Sequence, residues 1–344
     1  MTTETNHRVL LASRPHGWVT LENFTFDETP VGEPGDGEIL VKNLYLSVDP
    51  YMRGRMNDAK SYIAPFEVGA PLEGGVVGQV AASRNPQFTE GDIVTGMLRW
   101  EDYSLSDGVG LQVVDPTLAP LSYHLGILGA PGMTAWVGLM GIAELKEGES
   151  VFVSAASGAV GSVVGQIAKN MGCPVAGSAG SDAKVAYLTD ELGFDAAFNY
   201  KTVDSEMGAV RQACPRGIDV LFENVGGPVF EAAIFNMRPY GRIALCGMIA
   251  DYNATFDELP PGPRGLFVLI SRSIRMQGFI VFHYPDLCSE WVVEAAGWLD
   301  EGKLKYRETV TDGLENAPQA FLGLLKGENF GKQIVRLADD PTVS

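Results

Sequence analysis

The sequence predicts an α/β protein with two domains, a partly open β-barrel and a doubly wound parallel sheet. The chain has 344 residues, and domains usually contain roughly 100–200 residues. The first third of the chain contains short apolar runs separated by Gly, Pro and Asp, which is typical of antiparallel strands. From about residue 148, short apolar strands alternate with helical patterns, which indicates βαβ units and a buried parallel sheet.

The barrel is predicted from strand-like runs at both ends of the chain. Their irregular spacing favours a partly open barrel over a parallel sheet. Because the run KQIVRL at 332–337 is again strand-like, we expect the tail to rejoin the N-terminal strands. The predicted barrel domain comprises 1–124 and 305–344, and the parallel-sheet domain comprises 125–304. The predicted N-terminal strands are 38–45, 75–82 and 92–97.

The parallel-sheet domain is predicted to contain six strands. Residues 125–143 carry no charge but include five glycines and a proline, so we interpret them as buried turn and helix, with the helix over 134–145, rather than a membrane span. Helices are also expected over 159–171 and 182–192, and another ends at Met237. The six predicted strands are 151–154, 174–179, 196–198, 218–222, 241–247 and 276–282.

The balance of charges excludes some classes of partner. Lys and Arg total 25 and Asp and Glu total 43, so the formal net charge is −18. Such a surface repels nucleic acids and anionic lipids, and we expect neither as a partner. The four cysteines include no CxxC pair, which favours a reducing compartment over a disulfide framework. The N-terminal residues have no apolar core after a basic stretch, so we predict no signal peptide and a cytoplasmic protein.

A small-residue turn lies between the first strand and the first helix of the parallel-sheet domain. Residues 154–161 are SAASGAVG, which places Ala156, Gly158 and Gly161 at the three glycine positions of the Rossmann-type dinucleotide fingerprint. Small residues let the backbone approach a pyrophosphate, and the helix N-terminus supplies free N–H groups. Close packing is the other explanation of these residues, but the strand–turn–helix context favours dinucleotide binding.

The end of the second strand distinguishes NADP from NAD. NAD sites usually place Asp or Glu there to accept from the ribose 2′-hydroxyl, whereas this strand end contains Gly180, Ser181 and Lys184. A 2′-phosphate requires a cation and hydroxyl donors, and Tyr200 after the third strand offers another hydroxyl. The one nearby acid, Asp182, is expected to cap its helix. The combination favours NADP, although Lys184 alone is compatible with a solvated helix charge and Tyr200 with a packing residue.

Two further segments follow strands of the predicted sheet. Asn224 follows the fourth strand, and residues 246–252 follow the fifth. Ligands of open α/β sheets bind beyond the carboxyl ends of the strands, so we expect Asn224 to contact the nicotinamide half of the cofactor. On local grounds Asn224 is also compatible with an ordinary turn asparagine.

Longer motifs cover essentially the whole chain. They are VDPYMRGRM (48–56), GAPGMTAWVGL (129–139), SAASGAVGSVVGQIAK (154–169), GSDAKVAYL (180–188), FNYK (198–201), FENVGG (222–227), GRIALCGMIADYN (241–253) and GENFGK (327–332). With these motifs the chain resembles the zinc-independent medium-chain dehydrogenase/reductases, specifically the group of leukotriene B4 dehydrogenases, prostaglandin reductases and alkenal double-bond reductases. The resemblance implies a Rossmann-type domain beside a GroES-like barrel. It also implies a homodimeric, NADPH-dependent enzyme that reduces the C=C bond of α,β-unsaturated aldehydes and ketones.

The resemblance also assigns cofactor roles to residues at matching positions. The pyrophosphate would contact Gly158, Ala159, Val160 and Gly161. The 2′-phosphate would contact Lys184 and Tyr200, beside the Ser181 hydroxyl. The ribose and nicotinamide would contact Asn224, Cys246, Gly247, Met248, Tyr252, the backbone of Phe279, Ile280 and Val281, and Asn329. NADPH and NADP+ are therefore the predicted cofactors.

Two tyrosines are the predicted catalytic residues. Tyr252 resembles the family's carbonyl-facing tyrosine, and Tyr51 lies where relatives line the substrate cleft. A phenol with a pKa near ~10 remains a proton donor at neutral pH, so Tyr252 can stabilise charge on a carbonyl oxygen when hydride reaches the β-carbon. Tyr252 is also compatible with a loop tyrosine that packs on substrate without donating. Tyr51 is compatible with a residue that only lines the pocket or the contact between domains.

The sequence departs from the zinc-dependent relatives of this family. Those enzymes carry a cysteine in the stretch that matches 46–49, where this chain has Ser47 and Val48. They also carry Gly-His-Glu in the barrel, where this chain has Pro-Leu-Glu at 71–73. The four-cysteine zinc lobe is missing and the four histidines show no ligand spacing. We therefore predict no metal.

Two other functions stay open at the level of the sequence. A quinone reductase of the same superfamily would share the cofactor fold. A binding or structural protein could hold NADPH without turnover, but Tyr252 and the full set of cofactor positions argue against it. NADPH oxidation measured with an enal, with a quinone and without acceptor separates the three functions.

Overall fold

The computed structural model describes residues 4–343, in which the strands form three sheets. The strands are β1 (Thr5–Leu11), β2 (Phe24–Pro30), β3 (Ile39–Ser47), β4 (Glu73–Ser83), β5 (Ile93–Arg99), β6 (Tyr103–Ser106), β7 (Gln112–Val113), β8 (Val151–Val153), β9 (Val175–Ala179), β10 (Ala196–Asn199), β11 (Ile218–Glu223), β12 (Met237–Leu245), β13 (Arg275–Gly278), β14 (Glu308–Asp312) and β15 (Lys332–Arg336). The α-helices are α1 (Tyr51–Arg55), α2 (Ala130–Trp136), α3 (Gly161–Asn170), α4 (Asp182–Ala186), α5 (Glu206–Ala213), α6 (Gly227–Asn236), α7 (Phe267–Ser271), α8 (Pro285–Asp300) and α9 (Ala317–Leu325). Within residues 4–343, every helix is too short or too polar to cross a bilayer.

The seven-stranded sheet forms the barrel domain. Its order is β14-β15-β3-β4-β5-β7, with β6 paired to β3, and its neighbours are antiparallel except β14 and β15. The central strand β3 (ILVKNLYLS) buries seven of its nine residues, as expected of an apolar run covered on both faces. From the tail, β15 pairs with β3 and places Ile334 opposite Ser47. The tail therefore completes a sheet that the N-terminal strands begin.

The six-stranded sheet is parallel throughout and confirms the predicted doubly wound fold. Its order is β10-β9-β8-β11-β12-β13, so β9 and β10 extend to one side of β8 and β11, β12 and β13 to the other. The order reverses between β8 and β11. Ligands of such sheets bind at this reversal, beyond the carboxyl ends of the strands. The residues that follow β8 and β11 therefore lie at the expected ligand site.

Several predicted elements have different bounds in the structure. The sixth strand ends at Gly278 rather than 282, because β13 is exposed along its whole length and no packing extends it. The helix expected over 134–145 begins at Ala130, since Pro131 fits the first turn of a helix, and it continues as a π-helix over Val137–Ile142. Met237 starts β12 instead of ending a helix. The domain boundaries at 124/125 and 304/305 stay a prediction.

Candidate active site

The fingerprint turn closes tightly on itself after β8. A Cβ atom added at Gly161 would lie 2.5 Å from the Ala155 carbonyl oxygen, and one at Gly158 would lie 3.2 Å from the same atom. Ala155 itself adopts a positive φ of 47°. Gly161 could not carry a side chain without moving the turn, and at Gly158 the contact would be tight, so small residues leave the backbone open at the N-terminus of the ten-residue α3. This arrangement fits a pyrophosphate.

Ala156 at the first fingerprint position is accommodated by a glycine on the neighbouring strand. A Cβ atom at Gly177 would lie 2.5 Å from the Ala156 methyl carbon. Ala156 is fully buried, and its N–H donates to the Ser178 carbonyl at 2.9 Å. The methyl group therefore points into the sheet and leaves the ligand side of the turn open.

Glu223, at the end of β11, holds the start of the fingerprint turn by a hydrogen bond. Its Oε1 accepts from the Ser154 hydroxyl at 2.9 Å and from the N–H groups of Val225 and Gly226 at 2.7 Å each. Asn224 adds two contacts to Ser154, from its own N–H to the hydroxyl and from Nδ2 to the carbonyl, both at 2.8 Å. Asn224 thus ties the ends of β8 and β11 together, and its contact with the nicotinamide stays a prediction. The sequence analysis did not identify Glu223, whose only signal is its place in the FENVGG motif.

The Glu223 carboxyl group is fully buried and only half satisfied. Its Oε2 has no hydrogen-bond partner in the described part of the chain. Burial raises the pKa of Glu223 to about 7. At the neighbouring Cys246, burial and the charge of Glu223 raise the pKa of the thiol to about 12. Cys246 therefore remains a neutral thiol at the end of β12.

The adenosine end of the site begins at the tip of β9. Ser181 caps α4, because its hydroxyl accepts from the Lys184 N–H at 3.3 Å. The expectation that Asp182 caps this helix is wrong. Ser181 has the extended backbone of an N-cap residue, whereas Asp182 is already the first helical residue and accepts from Asn199 Nδ2 at 2.8 Å.

Three cations gather at this end without an acidic partner. Lys184 Nζ donates to the Gly327 carbonyl at 2.8 Å and lies 6.0 Å from the centre of the Phe330 ring. Burial, and then the nearby charge of Lys201, lower the pKa of Lys184. The guanidinium of Arg307 stacks on the Phe330 ring, with its carbon 4.0 Å from the ring centre. Within residues 4–343 none of the three cations forms an ion pair, although the chain carries a net charge of −18.

This cationic cluster fits a phosphate on the adenosine ribose. The Tyr200 hydroxyl reaches across the strand tip, 3.2 Å from where a Cβ atom of Gly180 would lie. Hydroxyl and cationic donors thus surround a glycine at the end of β9. The sequence analysis missed Lys201, which directly follows Tyr200, and Arg307, which comes from the far end of the chain. The second could not be found by spacing, because only the folded tail brings it here.

The carbonyl end of the site follows β12. Residues Ile249–Asp251 form a 3-10 turn that ends at Tyr252, whose hydroxyl oxygen accepts from the Met248 N–H at 3.3 Å. A Cβ atom at Gly247 would lie 3.2 Å from that oxygen, so the glycine makes room for the phenol. Burial raises the pKa of Tyr252 above its usual value. Tyr252 therefore remains protonated at neutral pH, and within residues 4–343 its hydroxyl donates to no other group.

Two tyrosines of the barrel domain extend this end of the site, since Tyr62 lies near Tyr252 and Tyr51 lies near Tyr62. Tyr51 opens α1 and its hydroxyl contacts the Met97 sulfur at 3.8 Å. Tyr62 lies in the segment after α1, and partial burial and the neighbouring Tyr252 raise the pKa of its phenol. The sequence analysis missed Tyr62, which belongs to no motif. The structure thus places Tyr62 beside Tyr252 and Tyr51 beside Tyr62. The position of Tyr51 in the substrate cleft stays a prediction.

The remaining predicted cofactor residues border the fingerprint turn or the end of the sheet. Phe279 follows β13 and packs edge-on against Phe222, with ring centres 6.4 Å apart, and Ile280 and Val281 continue into a 3-10 turn. Asn329 Nδ2 donates to the Gly331 carbonyl at 2.7 Å. Gly331 in turn donates its N–H to the Ser157 carbonyl at 3.1 Å, which joins the tail to the fingerprint turn.

The stretch that carries a cysteine in zinc-dependent relatives holds a buried ion pair here. Lys332 is 1% exposed, and its Nζ donates to Asp49 Oδ1 and to the Val48 carbonyl, both at 2.9 Å. Asp49 also accepts from the Ser47 hydroxyl. Across residues 4–343, His, Cys, Asp and Glu side chains form no cluster of three that could hold a metal ion.

Known proteins match the chain over both domains. The chain fits the family models "N-terminal domain of oxidoreductase" over residues 7–114 and "Zinc-binding dehydrogenase" over residues 159–296. It is 46% identical to the NADPH-dependent curcumin reductase of Escherichia coli, over 97% of this chain and 98% of that protein. It is 48% identical to the NADP(+)-dependent 2-alkenal reductase of Nicotiana tabacum, over 88% of each chain. The crystal structure of CurA from Vibrio vulnificus with NADPH matches it with a TM-score of 0.91 and 45% identity, covering 97% of this chain and 100% of that one.

Proposed function

Because the chain belongs to the zinc-independent medium-chain dehydrogenase/reductases, we propose that it uses NADPH to reduce the C=C bond of α,β-unsaturated aldehydes and ketones. It is an NADP-dependent oxidoreductase of the group that acts on carbon–carbon double bonds. One observation carries the finer proposal: the Tyr252 oxygen accepts from the Met248 N–H, and within residues 4–343 its hydroxyl donates to no other group. A donor of this kind, at the ligand edge of the sheet, suits a carbonyl oxygen that gains charge.

The mechanism assigns separate tasks to the two ends of the site. NADPH, when bound, supplies the hydride that reaches the β-carbon of the substrate. Tyr252 donates a hydrogen bond to the substrate carbonyl oxygen, where negative charge then accumulates. The Met248 N–H polarises the phenol and strengthens that donation. Tyr51 and Tyr62 orient the substrate against Tyr252, and water protonates the α-carbon.

The residues that hold the cofactor follow from the fingerprint turn and the cationic cluster. We assign the pyrophosphate to the backbone of Gly158 to Gly161 at the N-terminus of α3. The 2′-phosphate is assigned to Lys184 and Tyr200, with Lys201 and Arg307 as additional donors. Lys184 would exchange the Gly327 carbonyl for the phosphate, which is the stronger acceptor for an ammonium group.

The substrate class is tested by an acceptor panel. NADPH oxidation is followed by absorbance with a short enal, an aryl enone, a quinone, or no acceptor. The proposal predicts turnover with the enal and enone, and reduced products that have lost the C=C bond but kept the carbonyl. Turnover with the quinone alone would indicate a quinone reductase. NADPH binding without turnover of any acceptor would indicate a protein that only holds the cofactor.

The edge of the six-stranded sheet supports the predicted homodimer. Within the described chain β13 pairs only with β12, and it leaves its outer backbone N–H and C=O groups unpaired. Large apolar side chains lie exposed near this edge, including Ile270 at 84%, Phe282 at 69% and Phe267 at 65%. We propose that a second copy of the chain covers this edge. Sedimentation equilibrium at micromolar concentration should give twice the chain mass, and a monomer would contradict the proposal.

The state of the cysteines supports the cytoplasmic location that the sequence predicts. All four are free thiols, and Cys173, Cys214 and Cys288 are buried. Proteins of oxidising compartments usually pair their cysteines in disulfides. The cytoplasm therefore stays the proposed location.

A further inference from the structure

We propose that Arg53 is a positioning residue that fixes Tyr252 from the opposite domain, through Asn253. Arg53 lies on α1 of the barrel domain and is 2% exposed. Its Nε donates to Asn253 Oδ1 at 3.1 Å, and Asn253 directly follows Tyr252 in the other domain. The inference rests on the proposed function, because it acts through the donor role of Tyr252.

The guanidinium of Arg53 is held by neutral acceptors alone. Besides Asn253, it donates from Nη1 to Asn57 Oδ1 at 2.7 Å and from Nη2 to the Gly17 carbonyl at 2.8 Å. No carboxylate in the described part of the chain pairs with it, and burial lowers the pKa of Arg53. A buried cation without a counter-charge is costly, so its hydrogen bonds must keep their geometry. This requirement fixes the position of each acceptor, including Asn253.

The segment that carries Tyr252 is otherwise anchored from one side. Before the tyrosine, the N–H groups of Ile249 and Ala250 donate to the carbonyls of Asn224 and Val225, at 3.2 and 3.0 Å. After it, among the residues that the structure describes, the bond between Arg53 and Asn253 is the one hydrogen bond that joins 249–258 to the barrel domain. Loss of that bond leaves the phenol free to turn with its loop. Displacement of a catalytic group by about 1 Å can cost on the order of 10²-fold in rate.

Arg53 also connects the two walls of the cleft. Tyr51 and Arg53 belong to the same five-residue helix, and Tyr51 contacts Met97 of β5. The bond to Asn253 therefore sets the distance between the barrel wall and Tyr252. The substrate must fit between these two surfaces, so the effect is expected on kcat for the enone and not on NADPH binding.

The test removes one acceptor of Arg53 at a time. Asn253→Ala deletes the bond between domains, and Asn57→Ala deletes a bond within the barrel domain from the same guanidinium. We expect Asn253→Ala to lower kcat for an enone about tenfold. The dissociation constant of NADPH, measured by fluorescence titration, should stay within about twofold of wild type. Asn57→Ala should change both quantities less than about twofold, and Asn253→Asp, which restores an acceptor, should recover most of kcat.

A double-mutant cycle shows whether the effect passes through Tyr252. In a Tyr252→Phe background, Asn253→Ala should lower kcat no further, because the donor it positions is gone. The proposal is overturned if the two losses multiply, if Asn57→Ala and Asn253→Ala lower kcat equally, or if Asn253→Ala weakens NADPH binding as much as it lowers kcat. If the wild-type enzyme reduces no enone, the proposed function fails before any variant is compared. If it does reduce enones but the pattern is missing, only the positioning role fails.

Discussion

The two ends of the cleft are built in different ways. The adenosine end uses the turns that follow β8 and β9, so the regular βα units of one sheet fix the fingerprint, Ser181 and Lys184. The carbonyl end uses Tyr252 from a 3-10 turn and Tyr51 from a five-residue helix of the other domain. Cofactor affinity thus depends mainly on the sheet, to which the tail adds Gly327 and Arg307, whereas the position of the reacting groups depends on contacts between domains. Variants at each end should therefore change different kinetic constants.

The largest effect is expected at the carbonyl end. Tyr252→Phe removes the hydroxyl but keeps the ring, so kcat for an enone should fall by about 10- to 10³-fold, as when an oxyanion donor is removed. The dissociation constant of NADPH should stay close to that of wild type, because the sheet that binds the adenosine end is unchanged. Steady-state kinetics and a fluorescence titration measure the two quantities.

The matched control for this variant is Tyr240→Phe. Tyr240 lies in the first half of β12, whereas Tyr252 follows the end of that strand. Tyr240 is 76% exposed. Removal of its hydroxyl should change neither constant. Unchanged kcat in Tyr252→Phe would remove the phenol from the mechanism, and equal losses in both variants would indicate a general effect of the substitution.

A smaller effect, on a different constant, is expected at the adenosine end. Lys184→Ala removes an ammonium group from the proposed phosphate site, and charged hydrogen bonds contribute roughly 1.5–3 kcal/mol. KM for NADPH should therefore rise about 10- to 100-fold while KM for NADH changes less than about threefold. The comparison of the two cofactors isolates the 2′-phosphate, since they are otherwise identical.

Lys169→Ala serves as the control at this end. Lys169 lies on α3 of the same domain, where its Nζ is paired with Asp195 at 3.0 Å. It should leave both KM values unchanged. Equal increases of KM for NADPH and NADH in Lys184→Ala would contradict the assignment of the phosphate and would suggest damage to α4.

The contrast between the two ends also explains what the sequence could predict. The fingerprint and the alternation of strands with helices follow from local patterns, because a strand, a small-residue turn and a helix adjoin each other in the chain. Lys184 could be identified because the missing acid at the end of β9 is visible within four residues of it. By contrast, Arg307 reaches the same cluster from the tail, and only the stacking on Phe330 reveals it.

At the carbonyl end, local patterns predict less. Tyr252 and Tyr51 were identified by resemblance, whereas Tyr62 lies in no motif and Arg53 reads as an ordinary helical arginine. Their proximity depends on how two domains meet, and no periodicity within either domain encodes that contact. The ends of elements were also missed where packing decides them, as at β13, whose exposed strand stops at Gly278.

Glu223 joins the two ends, and its predicted effect is on stability rather than on a kinetic constant. Its side chain holds the fingerprint turn through Ser154, and its carbonyl accepts from the N–H groups of Cys246 and Gly247 at 2.9 and 3.1 Å. Burial raises the pKa of Glu223 from 4.5 to about 7 in the folded protein. The folded state therefore favours the protonated carboxyl group. The stability that this group contributes is fully present below pH 4.5 and is lost as the pH rises through about 7.

Glu223→Gln should remove this loss, because the amide stays neutral while Oε1 can still accept from Ser154, Val225 and Gly226. Between pH 5 and pH 8, the free energy of unfolding of the variant should rise by roughly 3 kcal/mol relative to that of wild type. In thermal unfolding this is a relative rise of the midpoint on the order of 5 °C. The quantity compared is the difference in unfolding midpoint between the variant and wild type, measured at pH 5 and again at pH 8. Any destabilisation by the amide that does not depend on pH is the same in both measurements and therefore cancels. A difference in midpoint that does not vary with pH would show that Glu223 is ionised in the folded protein at pH 5, and that its hydrogen bonds outweigh its burial.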